Sequence, residues 1–227
     1  MKHVLITGGT DGLGKALAQK LVTAGYTVTI LGQNEAKATL VAAELGCKFV
    51  VADVSKADQA AAAVKLAFEQ QGVVDVLVNN AGVWIQDTLE TNDDEAIRRV
   101  MDVNALGPIY MTKAVLPIMK RQGGGRIINV ISQAGLNAKA ERAVYNSSKW
   151  ALTGFTESMQ LELRPQRIAV TGFYPGALNT GLFEKAGNSR DMSRALDPAV
   201  AADSLMYVIG LPDSIEVPEI GIGSLKY

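Results

Sequence analysis

The strongest constraint on this chain lies in its first 24 residues. The apolar run His3–Thr7 reads as a buried strand. It passes without a spacer into Thr7-Gly8-Gly9-Thr10-Asp11-Gly12-Leu13-Gly14 and then into a helical pattern ending near Ala24. Glycine suits a tight turn in which backbone must approach a bound group closely. The helix that follows presents unpaired N–H groups and a partial positive charge, an arrangement that receives phosphate. Glycines also make ordinary strand–helix turns. The nucleotide-binding reading therefore rests on the strand before, the helix after and the position at the start of the chain.

The rest of the sequence repeats this unit. Strand-like segments at Thr27–Leu31, Lys48–Val51, Asp75–Asn79, Arg126–Ile131 and Ile168–Phe173 alternate with helical patterns at Glu35–Leu45, Lys56–Gln71, Asp93–Arg121, Ala143–Leu163 and Pro198–Ile209. Pro108 and Pro117 are expected to kink or split the long Asp93–Arg121 stretch. Glu219–Ile222 is a candidate seventh strand. The strands are apolar along their length rather than alternating, which fits burial on both faces. Helix-length crossovers between such strands predict an α/β fold, a Rossmann-type doubly wound parallel sheet with helices on both faces. With 227 residues and no repeat, linker or break in composition, the chain reads as a single domain.

Composition removes several function classes. Basic and acidic residues nearly cancel, 22 against 23, so no global field favours nucleic acid or an anionic membrane. No signal-peptide pattern or membrane-length apolar run is present, and a cytoplasmic protein is expected. Cys47 is the single cysteine and His3 the single histidine. That argues against a disulfide framework and a cysteine metal site, and against a histidine triad unless His3 takes part. At the start of the first strand, His3 reads as structural.

Tyr145 and Lys149 carry the clearest chemical signal. Four residues apart in a helical pattern, they share one face. A tyrosine is a poor base at neutral pH, but a nearby ammonium stabilises its phenolate and is expected to lower its pKa. Ser132, at the end of a strand, can hydrogen-bond the oxygen on which Tyr145 acts and stabilise its developing charge. Each residue also has a bland reading: an exposed helix pair, a capping serine, and, for Asn104, a poor helix former in mid-helix. Their combination gains weight because parallel strand ends gather such loops at one edge of a sheet.

Taken in order, these segments resemble the short-chain dehydrogenase/reductase family from Thr7 to about Thr180. The first loop is similar to its T-G-x-x-x-G-x-G pattern, Asp53 to its adenine-contacting Asp, and Asn79-Asn80-Ala81-Gly82 to its N-N-A-G segment. Pro175-Gly176 with Thr180 matches the segment beside the nicotinamide. The resemblance implies an NAD(P)-dependent enzyme interconverting an alcohol and a carbonyl, with Asn104, Ser132, Tyr145 and Lys149 as the catalytic set. It implies cofactor contacts from Gly8, Thr10, Asp11, Gly12, Leu13 and Gly14 in the first loop. Further contacts would come from Gln33, Asp53, Val54, Asn80, Ala81 and Gly82, and from Tyr145, Lys149, Pro175, Gly176 and Thr180. Lys149 would also hold the nicotinamide ribose, and Asn104 would support a water-linked proton relay. A homo-oligomer, dimer or tetramer, and a substrate lid over residues 178–196 complete the expectation.

The residues bear unequally on cofactor and substrate. At the end of the second strand stands Gly32-Gln33-Asn34, with neither an acid for a ribose 2′-OH nor a base for a 2′-phosphate. Asp11 would repel a 2′-phosphate, which tilts the reading slightly toward NAD(H) over NADP(H), while Lys37 pulls the other way. Trp84 has two readings, pocket wall or core, and Trp150 is expected to be packed. Asn137, Lys139, Glu141 and Arg142 make the substrate rim polar and favour a small polar carbonyl. An epimerase or dehydratase of the extended branch would place glycine where Asp11 stands and add a large C-terminal domain. A non-catalytic NAD(P)-sensing or scaffold protein on the same fold is the rival of another class.

Overall fold

The computed structural model describes residues 1–187 and 191–225. Seven parallel strands form one sheet: β1 (His3–Thr7), β2 (Thr27–Gly32), β3 (Lys48–Val51), β4 (Val76–Asn79), β5 (Gly125–Val130), β6 (Ile168–Pro175) and β7 (Glu219–Ile222). Their order is β3-β2-β1-β4-β5-β6-β7. The chain starts in the middle of the sheet, runs outward to β3, then returns to β4 beside β1 and proceeds to the other edge. Where the direction reverses, the carboxyl ends of β1 and β4 lie side by side, the place at which open α/β sheets receive ligands.

The helices are α1 (Gly12–Thr23), α2 (Glu35–Leu45), α3 (Ala57–Gln71), α4 (Asp94–Met101), α5 (Gly107–Gln122), α6 (Ala143–Leu163) and α7 (Pro198–Gly210). Successive β1 residues point to opposite faces. Val4 and Ile6 pack with Leu17 and Leu21 of α1 and Leu205 and Val208 of α7. Leu5, between them, packs with Ala63 and Ala67 of α3 and Met111 and Val115 of α5. The doubly wound reading and the seventh strand are both seen.

The long stretch before β5 is split beside Pro108, as expected, but not at Pro117. It is split at Asp102–Leu106 by a π-helical turn, while α5 runs unbroken through Pro117. Pro108 lies in the first turn of α5, where its missing N–H leaves the preceding turn one bond short and the widened turn absorbs the mismatch. Trp150 also differs: it is 50% exposed rather than packed. A helix turns about 100° per residue, so placing Lys149 inward carries its neighbour to the outside.

A buried polar chain registers the central strands. Asn79 Nδ2 donates to Asn129 Oδ1 at 2.8 Å, and Asn129 Nδ2 donates to Thr156 Oγ1 of α6 at 2.9 Å. These bonds tie β4, β5 and α6 together. No described helix is long and apolar enough to cross a membrane.

Candidate active site

A cavity of about 850 Å³ opens at the carboxyl ends of the strands. Its floor begins with the glycine loop. Gly8 has φ +63°, and a Cβ there would stand 2.9 Å from Ala81 Cα, so only glycine lets the two loops meet. At Gly14 a Cβ would stand 2.4 Å from Gly8 O, which explains how α1 starts so close to the loop. Asp11 caps that helix, accepting a hydrogen bond from Gly12 N at 2.8 Å. Thr7 Oγ1 accepts from the Asn80 and Ala81 N–H groups, both at 3.0 Å, while Asn80 Nδ2 donates to Thr7 O and Gly8 O. The two loops are thus clamped together, with the N-terminus of α1 facing the cavity. These features fit a dinucleotide: a bulk-free cradle and a helix N-terminus where phosphate would sit.

Asp11 also receives Lys37 Nζ at 2.8 Å and Lys185 Nζ. Burial would raise its pKa, but hydrogen bonds from Lys185, Lys37 and Gly12 N outweigh that and hold it well below the ordinary carboxylate range. Lys185 belongs to a short turn at Glu184–Ala186, so this ion cluster fastens the segment after β6 to the glycine loop. Leu178 and Leu196 pair at the base of that segment. Residues 188–190 of the expected lid lie outside the described residues.

Ser132, Tyr145 and Lys149 converge on the cavity from β5 and α6. Tyr145 is 6% exposed and Lys149 4%. Ser132 follows β5 with φ +152° and ψ 159°, a conformation that costs a non-glycine residue about 1–3 kcal/mol and recurs at functional sites. Its hydroxyl accepts from the Ala134 N–H at 3.1 Å and stands close enough to Tyr145 to favour the phenolate. Burial pushes the Tyr145 phenol up to about 12, against the lowering effects of Ser132 and the Arg142 charge. The expected lowering therefore comes from Ser132 and Arg142 rather than Lys149, and burial exceeds it. Lys149 lies with Nζ 5.7 Å from the Tyr145 ring centroid and donates to Val130 O at 3.2 Å; burial takes its amine down to about 8.

Asn104 sits in the π-helical turn, fully buried. Its Oδ1 accepts from Val83 N at 2.8 Å, and its Nδ2 donates to Val83 O and Ser148 Oγ. It holds the segment after Gly82 against α6, and its side chain uses its bonding capacity in doing so.

Fourteen of the residues expected to be catalytic or cofactor-binding line the cavity: Gly8, Thr10, Asp11, Gly12, Leu13, Asn80, Ala81, Gly82, Ser132, Tyr145, Lys149, Pro175, Gly176 and Thr180. Gly14, Gln33, Asp53, Val54 and Asn104 are absent from its lining. Gln33 and Asp53 stand near each other just past the ends of β2 and β3, and Asp53 accepts from the Ser55 N–H and hydroxyl. Val54 is buried beneath Gly107.

Trp84 forms a wall, its ring centroid 4.3 Å from that of Tyr145 and 4.8 Å from that of Phe183. Phe183 and Leu182 make the segment after β6 apolar where it meets the site, although the sequence there reads as polar. Sequence reasoning also passed over Arg99 and Lys185 in the lining, and Thr7 as the clamp. Thr7 had a signal, as the first residue of the loop pattern. Arg99 and Lys185 had none.

The short chain dehydrogenase family model matches residues 2–191. An uncharacterized oxidoreductase of Staphylococcus epidermidis is 30% identical over 223 residues, covering 97% of this chain and 96% of that protein. The alcohol dehydrogenase of the archaeon Thermococcus sibiricus, solved with 5-hydroxy-NADP, superposes with a TM-score of 0.91 at 28% identity, covering 100% of this chain and 98% of that one. A 3-ketoacyl-(acyl-carrier-protein) reductase from Brucella melitensis, solved with NADH, gives 0.88 at 31% identity, over 97% and 96% of the two chains. By sequence and by fold, the chain belongs to the short chain dehydrogenase family of oxidoreductases.

Proposed function

We propose that this protein interconverts an alcohol and a carbonyl with NAD(P), using Tyr145 as general acid and base. The observation that carries the reading is the convergence of buried Tyr145 and Lys149 with strained Ser132 on one cavity beside a phosphate-ready helix terminus. The solved relatives that bind 5-hydroxy-NADP and NADH support it. A nicotinamide dinucleotide, when bound, supplies or accepts the hydride.

The chain's own residues manage the proton and the charge. The first loop and the α1 N-terminus hold phosphate, with Asn80, Ala81, Gly82, Pro175, Gly176 and Thr180 shaping the rest of the cofactor site. Ser132 donates a hydrogen bond to the substrate oxygen, and Tyr145 passes a proton to that oxygen or takes one from it. A phenol held near 12 is protonated at neutral pH and so is set to donate during carbonyl reduction. The Lys149 ammonium steadies negative charge on Tyr145 after the proton leaves. Asn104 acts by position, fixing Val83 and Ser148. Between the two dinucleotides, Asp11 argues for NAD(H). The segment 178–196 is the lid, anchored through Lys185.

Thermal unfolding with NAD(H) and NADP(H), followed by turnover of the Tyr145→Phe variant, tests the reading. Saturating cofactor at about 100 times its dissociation constant adds roughly 2.7 kcal/mol, a rise of about 5–10 °C in midpoint for this size. Tyr145→Phe is expected to keep that rise and lose turnover. Wild-type rates in the variant, or no rise with either cofactor, would sink the proposal.

A further inference from the structure

The lining of the cavity changes character with depth. Asn137 and Lys139, which make the rim polar, are exposed, and Glu141 does not line the cavity at all. Gln133, next to Ser132, turns its amide toward Gly223 and Gly176. Beside Tyr145 the surface is apolar instead. Trp84, Ile85, Ala134, Leu182 and Phe183 cluster with the Tyr145 ring and line the cavity there. Trp84 and Phe183 are each only 8% exposed.

This wall is built without a substrate to shape it. The Trp84 ring centroid stands 4.3 Å from that of Tyr145 and 4.8 Å from that of Phe183, the second pair edge to face, and the Arg142 guanidinium lies over the same indole. Ring contacts of this kind favour particular orientations and so hold the indole in place. Leu182 and Phe183 come from the segment after β6, which Lys185 fastens to Asp11 and the pairing of Leu178 with Leu196 closes at its base. A surface fixed in advance loses little freedom on binding. It rewards apolar area laid against it, whereas a hydroxyl or carboxylate placed there leaves water without gaining a partner. The cavity of about 850 Å³ must hold a dinucleotide as well, so the space beside Tyr145 suits a compact group rather than a long chain.

We infer that the substrate is a carbonyl compound, or the matching alcohol, whose reacting carbon carries one compact apolar group. That group, a single aromatic ring or a branched alkyl, sits on the Trp84–Phe183 wall while the oxygen meets Tyr145 and Ser132. The inference rests on the oxidoreductase reading and adds the substrate class. It replaces the small polar carbonyl expected from sequence, because the polar residues stand at the solvated rim and the apolar ones beside the reacting atoms. In the reducing direction the carbonyl carbon takes a hydride from the reduced nicotinamide dinucleotide and the oxygen takes a proton from Tyr145. The products are the alcohol and the oxidised dinucleotide, and the apolar group is unchanged.

The test measures kcat/KM, with NADH and with NADPH, on methyl ketones bearing ethyl, isopropyl and phenyl groups, each beside a hydroxylated analogue of nearly the same size. It uses wild type, Phe183→Ala and Phe183→Leu. In wild type kcat/KM should rise about fourfold for each methylene's worth of apolar area buried, mainly through KM. Each hydroxylated analogue should be roughly 5- to 100-fold poorer than its partner, the cost of a polar group left unpaired. Phe183→Ala should flatten the gradient and narrow the gap, and Phe183→Leu should restore part of both. A flat gradient in wild type, or hydroxylated analogues used as well as their partners, overturns the inference and leaves the oxidoreductase reading intact. So does a Phe183→Ala variant that slows every ketone alike, with gradient and gap unmoved, since that is a merely structural loss. Turnover of none of the ketones by a wild type whose unfolding midpoint still rises with cofactor overturns the inference alone. No turnover and no rise strikes the oxidoreductase reading itself, and the inference falls with it.

Discussion

The two ends of the sheet bury polar side chains in different ways. At the amino ends most buried polar groups are tied down, with Arg126 Nη1 an exception. Both ring nitrogens of His3 are engaged, one with Val73 O and the other with Thr29 Oγ1, and its backbone N–H donates to Asp75. Gln122 pairs both ways with the Val74 backbone, and Arg126 Nη2 donates to Pro212 O and Ile215 O. At the carboxyl ends, Lys149 donates to one carbonyl with an ammonium that has three protons to give. Tyr145 leans on a serine held in a strained backbone. Satisfied burial builds the scaffold. Burial with bonding capacity left over marks a place for chemistry, because only a bound reactant supplies the missing partner.

The sharpest test of this contrast is Lys149→Met. Activity should fall by about 10²–10³-fold, the scale of losing a preorganised charge at a reacting oxygen. Stability should move the other way. Burial depresses the amine from 10.5 to about 8, so at pH 7 the folded protein holds an ammonium that its interior disfavours, by about 3 kcal/mol from the size of the shift. Methionine removes that penalty, and the variant should unfold at a higher midpoint near neutrality. Between pH 8 and 10.5 the unfolded chain binds the extra proton, so wild type gains stability relative to the variant as pH rises. The gap between the two should close across that window. A gap independent of pH would mean that Lys149 is as satisfied as the groups at the other end.

How far the sequence exposed each end follows the same division. The strand–loop–helix at Thr7–Gly14 and the Tyr145–Lys149 spacing were legible because backbone sterics and helical period leave marks in sequence. The inner strands were legible because continuous apolar runs have few other fates. Three things were hidden. The π-helical turn at Asp102–Leu106 depends on tertiary packing around Asn104, and Pro108 alone does not specify it. The outward turn of Trp150 follows from which face of α6 is buried, a matter of one residue in helical phase. The meeting of Lys37, Lys185 and Asp11 joins positions 174 apart in the chain, and no local pattern records it.

His3→Phe probes the satisfied end. The change leaves Val73 O and Thr29 Oγ1 short of a partner, at about 1–3 kcal/mol, with kcat/KM unchanged. Burial holds the imidazole pKa below 6.5 against the raising effects of Val73 O and Asp75. The unfolded chain therefore takes up a proton first as pH falls, and wild-type stability is fully present above 6.5 and declines beneath it. His3 is the sole histidine, so denaturation midpoints taken from pH 7.5 to 5.5 isolate its contribution. The variant should lose that slope, and an unchanged slope would assign it elsewhere.

The smallest effect concerns Asp11, the one carboxylate among the described residues at the mouth of the reactive end. Asn is as good a helix cap as Asp, so Asp11→Asn keeps the start of α1 and removes only the charge. Lys37 and Lys185 then lose their common partner and are free to face a 2′-phosphate. The side chains in these pairs are 43–61% exposed, and surface pairs of this kind contribute at most about 1 kcal/mol each. The ratio of kcat/KM for NADPH over NADH should therefore rise by no more than about tenfold, near 1.4 kcal/mol. The rise should shrink in high salt, where exposed charges are screened. Measuring both cofactors at low and high ionic strength separates the outcomes. A salt-sensitive rise places the lysine pair at the ribose, whereas an unmoved ratio makes the cluster a fastening for the turn at Glu184–Ala186 alone.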